Sequence, residues 1–100
     1  MAQFDLYKNR RDNSELFPYL LDITHKTNTV SQLRVVVPLC SDGHHVTHLN
    51  PVFHLDGQEL YLSTMDIAGV PVAMLGDVAG NLKERRTEIV DALDFLVSGF

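Results

Sequence analysis

The N-terminal four-fifths of this chain is written in strand-sized pieces, and only its last stretch carries a helical period. That division points to a mainly β fold. Gln3-Phe4-Asp5-Leu6-Tyr7 alternates polar and apolar residues, as a half-buried strand does. Residues 8–15 (KNRRDNSE) then read as a charged loop. Over 19–24, Tyr19, Leu21 and Ile23 share one face of a strand, with Leu20 and Asp22 on the other. Leu33 to Val37 is a β-branched run ended by Pro38, the pattern of a central strand. Residues 40–50 (CSDGHHVTHLN) form a polar loop. Val52–Leu55 and Gln58–Ser63 flank Asp56-Gly57, which reads as a hairpin because glycine accepts the positive φ of a type I′ turn. Val70–Leu75 makes a further short strand, with Pro71 at a sheet edge or a strand start.

The helix begins near Glu84. On a 3.6-residue wheel Ile89, Leu93, Leu96, Val97 and Phe100 form one stripe, and Phe95 lies nearly opposite, among Glu88, Asp91 and Ser98. An off-stripe aromatic often marks an interface. Gly99 is the expected helix stop. Phe100 follows with its free carboxylate, an apolar group beside a charge that is expected to pack down or to touch a partner. Lys83, Arg85 and Arg86 near the helix start and Asp91 and Asp94 near its end run against the macrodipole, whose preference is worth about 0.3–1 kcal/mol per charge. An acidic helix end suits a basic partner surface.

Length and composition set the outer bounds. One hundred residues fit one domain, and 45% hydrophobic with 21% charged residues is globular. No apolar run reaches the roughly 18 residues of a membrane span. No signal-peptide pattern is visible at the start of the sequence, and Cys40 is its only cysteine, so a reducing cytoplasm is expected. A net charge of −5 argues against direct nucleic-acid binding.

Catalytic and metal chemistry find little support. Cys40 with His44, His45 and His48 offers zinc-type ligands, but C-x3-H-H-x2-H is not a standard spacing, and the expectation is a polar loop without metal. His54 beside Phe53 reads as a packed strand residue. The MDIAGVPV segment carries no phosphate-cradling glycine pattern. No cofactor is expected.

Taken in order, QFDLY, FPYLLDI, RVVVPL, PVFHLDG, STMDIAGVPV and the terminal FLVSGF resemble the CcdB family of toxins over essentially the whole chain. The resemblance implies an SH3-like antiparallel β-barrel of the CcdB/MazF type, with a small accessory sheet and one C-terminal α-helix. It implies a homodimer that binds the A subunit of DNA gyrase and traps the cleaved DNA complex, acting by binding rather than catalysis. It also implies a CcdA-like antitoxin that neutralises the toxin, the two together repressing their operon, with DNA reached only through that complex.

By position, the family's gyrase contacts fall on Asp94, Ser98, Gly99 and Phe100, and on Thr27 and Asn28. Ser98 stands where the best-known member has tryptophan, Phe100 replaces an aliphatic residue, and Thr27 and Asn28 replace an isoleucine pair. These changes remove apolar anchor area, and Phe100 restores part of it. Antitoxin contact is expected at Lys8, Asn9, Arg10 and Arg11, and at His44 and His45. Two alternatives remain at this point. MazF-like toxins share the fold and cleave RNA, although phosphate chemistry favours cationic sites, and eight Lys and Arg here face thirteen acids. The polar replacements also fit a family member with a lost or changed target that serves as an antitoxin-binding scaffold.

Overall fold

The computed structural model describes residues 1–26, 32–42 and 46–99. It contains seven strands, β1 (Asp5–Asn9), β2 (Tyr19–Asp22), β3 (Leu33–Cys40), β4 (Val52–Leu55), β5 (Gln58–Leu62), β6 (Ala68–Pro71) and β7 (Leu75–Asn81), followed by helix α1 (Arg86–Ser98). All strand pairs are antiparallel, along the path β4-β5-β3-β2-β1-β7, with β6 added to the first half of β3. The sheet curls into a half-barrel.

The curl follows from connectivity. β6 and β7 lie at opposite margins of the order β6-β3-β2-β1-β7, yet they are joined by a single 3-10 turn, Val72–Met74. Three residues cannot span a flat five-stranded sheet at roughly 4.8 Å per strand, so the margins must approach each other. Register shifts between β1 and β7, on either side of Tyr7, add the local bend that bulges bring. Gly76 sits in this irregular pairing, where a Cβ would lie 2.6 Å from the backbone oxygen of Lys8. Only a glycine lets the two strands come so close.

Curling gives the sheet two cores. Inside the barrel, each of the five strands contributes one residue to an apolar cluster: Tyr7, Leu20, Val36, Val70 and Leu75. The second core lies on the other face of β1–β3. There Phe4, Leu6, Leu21, Val37 and Leu39 meet Phe53, Leu60 and Leu62 of the hairpin and Ile89 and Ala92 of α1. The facing of β2 is as its alternation predicts, with Tyr19, Leu21 and Ile23 against the outer core and Leu20 in the inner one. The β4–β5 hairpin is also as expected, with Asp56 at φ 51° and Gly57 at φ 74°. It forms the accessory layer and continues from the end of β3 through Leu39–Leu62 and Cys40–Tyr61 pairing.

Four expectations are corrected. The first strand is Asp5–Asn9 rather than residues 3–7, because Phe4 takes φ 70° and breaks the extended backbone before it. Pro38 does not end β3. Ile23 N–H donates to Val35 O, so Pro38 is turned with its missing donor away from β2, toward Ser63, whose N–H donates to Pro38 O at 2.8 Å. The span 70–75 is not one strand. Pro71 closes β6 on an edge, and Leu75 opens a separate strand β7 that alternation did not reveal. On the helix, Val97 is 87% exposed, because the buried arc is centred on Ile89 and Ala92 rather than on the stripe through Val97.

Asp22 and Arg34 are buried together, Arg34 Nε donating to Asp22 Oδ2 at 2.7 Å, while Asp22 Oδ1 accepts from Thr24 N–H at 2.9 Å. Removing one member strands the other's charge, which costs about 3–5 kcal/mol. Asp22→Ala and Arg34→Ala should each lower the unfolding free energy from urea titration by that amount, and the double variant should lose much less than their sum. Additive losses would show that the pair is not coupled. Burial, followed by the charge and hydrogen bond of Asp5, pushes the Tyr7 hydroxyl up to about 12. An unfolded tyrosine ionises near 10, about two units lower. The neutral hydroxyl therefore supports the fold fully below about pH 10, and that support is lost as pH rises through about 12. Tyr7→Phe should flatten the fall in stability over this window in alkaline urea titrations; an unchanged slope would exclude Tyr7 as its source.

Candidate functional site: the outer face of the terminal helix

No glycine or proline interrupts Arg86–Ser98, which favours helix throughout. Asn81 Oδ1 accepts from Lys83 N–H at 2.8 Å and starts the 3-10 turn Lys83–Arg85 that leads into α1. At the other end Gly99 adopts φ 79° and donates its N–H to Phe95 O at 2.9 Å, ending the helix as expected.

The charge order that opposes the macrodipole has a local explanation at the helix start. Arg85 turns back to Glu88, one of whose oxygens accepts from Nη2 at 2.8 Å. The same guanidinium donates to Val52 O at 3.0 Å and lies 4.4 Å over the Phe53 ring. Hydrogen bonds from Arg85 hold the Glu88 carboxyl below its ordinary range, against the effect of burial. An acid therefore does occupy the first turn, where the dipole favours it.

The outer face of α1 borders a continuous depression against the loop before β4. One part, about 360 Å³, is lined by Thr47, His48, Pro51, Val52, Glu88 and Asp91. The adjoining part, about 440 Å³, is lined by His48, Asp91, Asp94 and Ser98. The loop wall is held from beneath by Asn50, which is buried. Its amide donates to Leu62 O at 2.9 Å, and its carbonyl accepts from Val46 N–H at 3.0 Å. His48, at φ 71°, faces the off-stripe Phe95 with ring centroids 6.3 Å apart and tilted by 44°. Phe95 is half-buried by this contact rather than lying wholly on the outer surface.

Of the residues expected to meet a partner at the chain's end, Asp94, Ser98 and Gly99 lie together on this exposed end of α1, and Ser98 Oγ donates to Asp94 O at 2.7 Å. Phe100, Thr27, Asn28, His44 and His45 lie outside the described residues. The loop wall of the depression, with Thr47 and His48, was not singled out from the sequence as a partner to the helix. An aromatic at position 95 paired with a histidine some fifty residues earlier is a tertiary relation that no local pattern carries.

The second expected locus is the loop after β1. Lys8, Arg10 and Arg11 are exposed, and Arg10, Arg11, Asp12, Asn13 and Met74 surround a shallow cleft of about 300 Å³. Asn9 differs from its neighbours: its side chain is buried inside the loop. It donates to Asn13 Oδ1 and Phe17 O, both at 2.8 Å, and accepts from Arg11 N–H at 3.0 Å. It shapes the loop, whereas the basic residues carry the loop's surface.

Among the described residues no group of three metal-ligating side chains converges. Cys40 is buried, with its thiol donating to Asp42 O at 3.0 Å, and His48 is turned to the helix instead. His54 is exposed and pairs across the hairpin with Glu59 at 3.3 Å, so it is not the packed strand residue expected. No described helix is long and apolar enough to cross a membrane.

The family model described as CcdB protein matches residues 3–99, nearly the whole length that carries the half-barrel, the hairpin layer and the terminal helix. The chain therefore belongs to the CcdB family, the toxin side of toxin–antitoxin systems.

Proposed function

We propose that this chain is a gyrase-directed toxin that acts by binding, not by catalysis. It would engage the gyrase A subunit, trap the gyrase–DNA cleavage complex, and be neutralised by a CcdA-like antitoxin with which it co-represses its operon. The observation that carries this reading is family membership over residues 3–99, together with an exposed helix end that groups Asp94, Ser98 and Gly99. Asp91 and Asp94 along the depression give that face an acidic character suited to a basic partner surface. Thr27, Asn28 and Phe100 complete the proposed gyrase contact. Antitoxin contact is assigned to Lys8, Arg10 and Arg11 around the shallow cleft and to His44 and His45, with Asn9 holding the loop in shape.

Calorimetric titration against a gyrase A-subunit fragment tests this. Saturable binding of one toxin dimer per fragment dimer is expected, and removal of Gly99 and Phe100 should abolish it while the circular dichroism spectrum is kept. Absence of binding overturns the reading. RNA cleavage by the same purified protein would then favour the ribonuclease alternative.

The proposed toxin is a homodimer, and an apolar face supports this. Leu33 and Val35 alternate with the inward-facing Arg34 and Val36, and so point away from the barrel interior. They pair with Pro71 and Gly69 of β6, and with Ile67 and Met65 just before that strand they leave four large apolar side chains exposed on adjoining segments. A self-complementary patch of this kind suits an isologous contact. Val35→Asp combined with Ile67→Asp should convert the dimer to a folded monomer in sedimentation velocity. A variant that stays dimeric would move the interface elsewhere.

A further inference from the structure

The fully buried residues of the 13-residue α1 are Ile89 and Ala92, which lie within one turn of each other. Half-buried Val90 and Leu93 pack beside them, and Phe95 meets His48 toward the C-terminal end. The middle and end of the helix are thus held by apolar and ring contacts, while its start needs a hold of its own. The Arg85 guanidinium provides a hold at the N-terminal end. It joins the Glu88 carboxylate on the helix to the backbone carbonyl of Val52 on β4, and it stacks over Phe53 of the outer core. Leu62 N–H donates to Pro51 O, so the Val52 carbonyl faces the free edge of the hairpin and would otherwise have no strand partner. A planar, five-donor guanidinium can serve all three groups at once, which an ammonium cannot. Val52 and Glu88 are also opposite walls of the depression along the helix.

We infer that Arg85 is a positioning residue for the partner-binding face: by fastening the start of α1 to the β4–β5 hairpin, it sets the orientation in which Asp91, Asp94 and Ser98 are presented. This inference rests on the proposed gyrase-binding role of that face. The geometry is that of a lever. Arg85 lies roughly 8 Å on one side of the midpoint of the Ile89–Ala92 pivot and Ser98 roughly 11 Å on the other, at 1.5 Å rise per residue. A tilt about this pivot carries a shift at the start of the helix, reversed, toward the end that would meet gyrase, against the resistance of the Phe95–His48 contact.

The test uses the full-length protein with three readouts: affinity for the gyrase A-subunit fragment, urea stability, and backbone residual dipolar couplings, which report the orientation of α1 against β1–β3 with no partner present. Arg85→Met keeps the aliphatic stem over Phe53 and removes the fork. Expected are altered couplings over Arg86–Ser98 with those of the sheet unchanged, about tenfold weaker gyrase binding, and a nearly unchanged urea midpoint. The double variant Arg85→Glu with Glu88→Arg restores a pair on the helix but not the bond to Val52, and should remain weak. Unchanged couplings in Arg85→Met, unchanged affinity despite altered couplings, or full recovery in the double variant would each overturn the inference. If the unsubstituted protein fails to bind gyrase, the proposed function falls, and with it the link from Arg85 to gyrase. The couplings still decide separately whether Arg85 orients the helix.

Discussion

The short link from β6 to β7 is the constraint on which the rest of the architecture depends. Because those strands sit at opposite margins of a five-stranded sheet, Val72–Met74 can join them only if the sheet curls back on itself. Curling creates an interior that takes one apolar side chain from each strand, Tyr7, Leu20, Val36, Val70 and Leu75. It leaves the convex face of β1–β3 to be covered by something else, and the hairpin and α1 do so. The helix is thus an outer layer, packed from one side, with its remaining surface turned to solvent. A binding function carried by that helix needs no cavity in the barrel, and the barrel interior can be spent entirely on packing and on the Asp22–Arg34 pair.

Features fixed by local chemistry were legible in the sequence. The Asp56-Gly57 turn, the opposed faces of Tyr19–Ile23 and the glycine stop at Gly99 each depend on a few adjacent residues. The ordered motifs also identified the family, which the match over residues 3–99 shows. Strand β7 was not legible. Gly76, Asp77, Gly80 and Asn81 are poor strand formers, and Leu75–Asn81 is extended because β1 pairs with it. Val97 was misread for a related reason. A helical wheel shows that a stripe exists but not where the core lies, and here the core lies toward Ala92. The rule that proline ends a strand is local, whereas here the missing donor of Pro38 faces the gap between the β6 and β5 pairings, where Ser63 N–H donates to Pro38 O and no proline N–H is needed.

The candidate site divides along the same line. Asp94 and Ser98 could be placed on an exposed helix end from the sequence alone. Their neighbour His48 could not, since the loop of residues 46–50 is brought to the helix by Asn50 bonding to Leu62 and by the ring contact with Phe95. Likewise the inverted helix charges read as a signal for an external partner, but Arg85 is engaged at home by Glu88, Val52 and Phe53. The remaining acidic groups, Asp91 and Asp94, are the ones that face outward.

Asn9 gives the basic loop a thermodynamic character that its composition conceals. A run such as KNRRDNSE, with no apolar residue, would ordinarily sample many conformations and surrender that freedom on meeting a ligand. One buried amide, bonded to Asn13, Phe17 and the Arg11 backbone, closes the loop upon itself while the chain folds. The backbone carrying Arg10 and Arg11 is therefore ordered before any encounter. What is left to lose on contact is mainly side-chain rotamer freedom, so in the proposed antitoxin contact the entropy of association would fall chiefly on the segment that binds this loop.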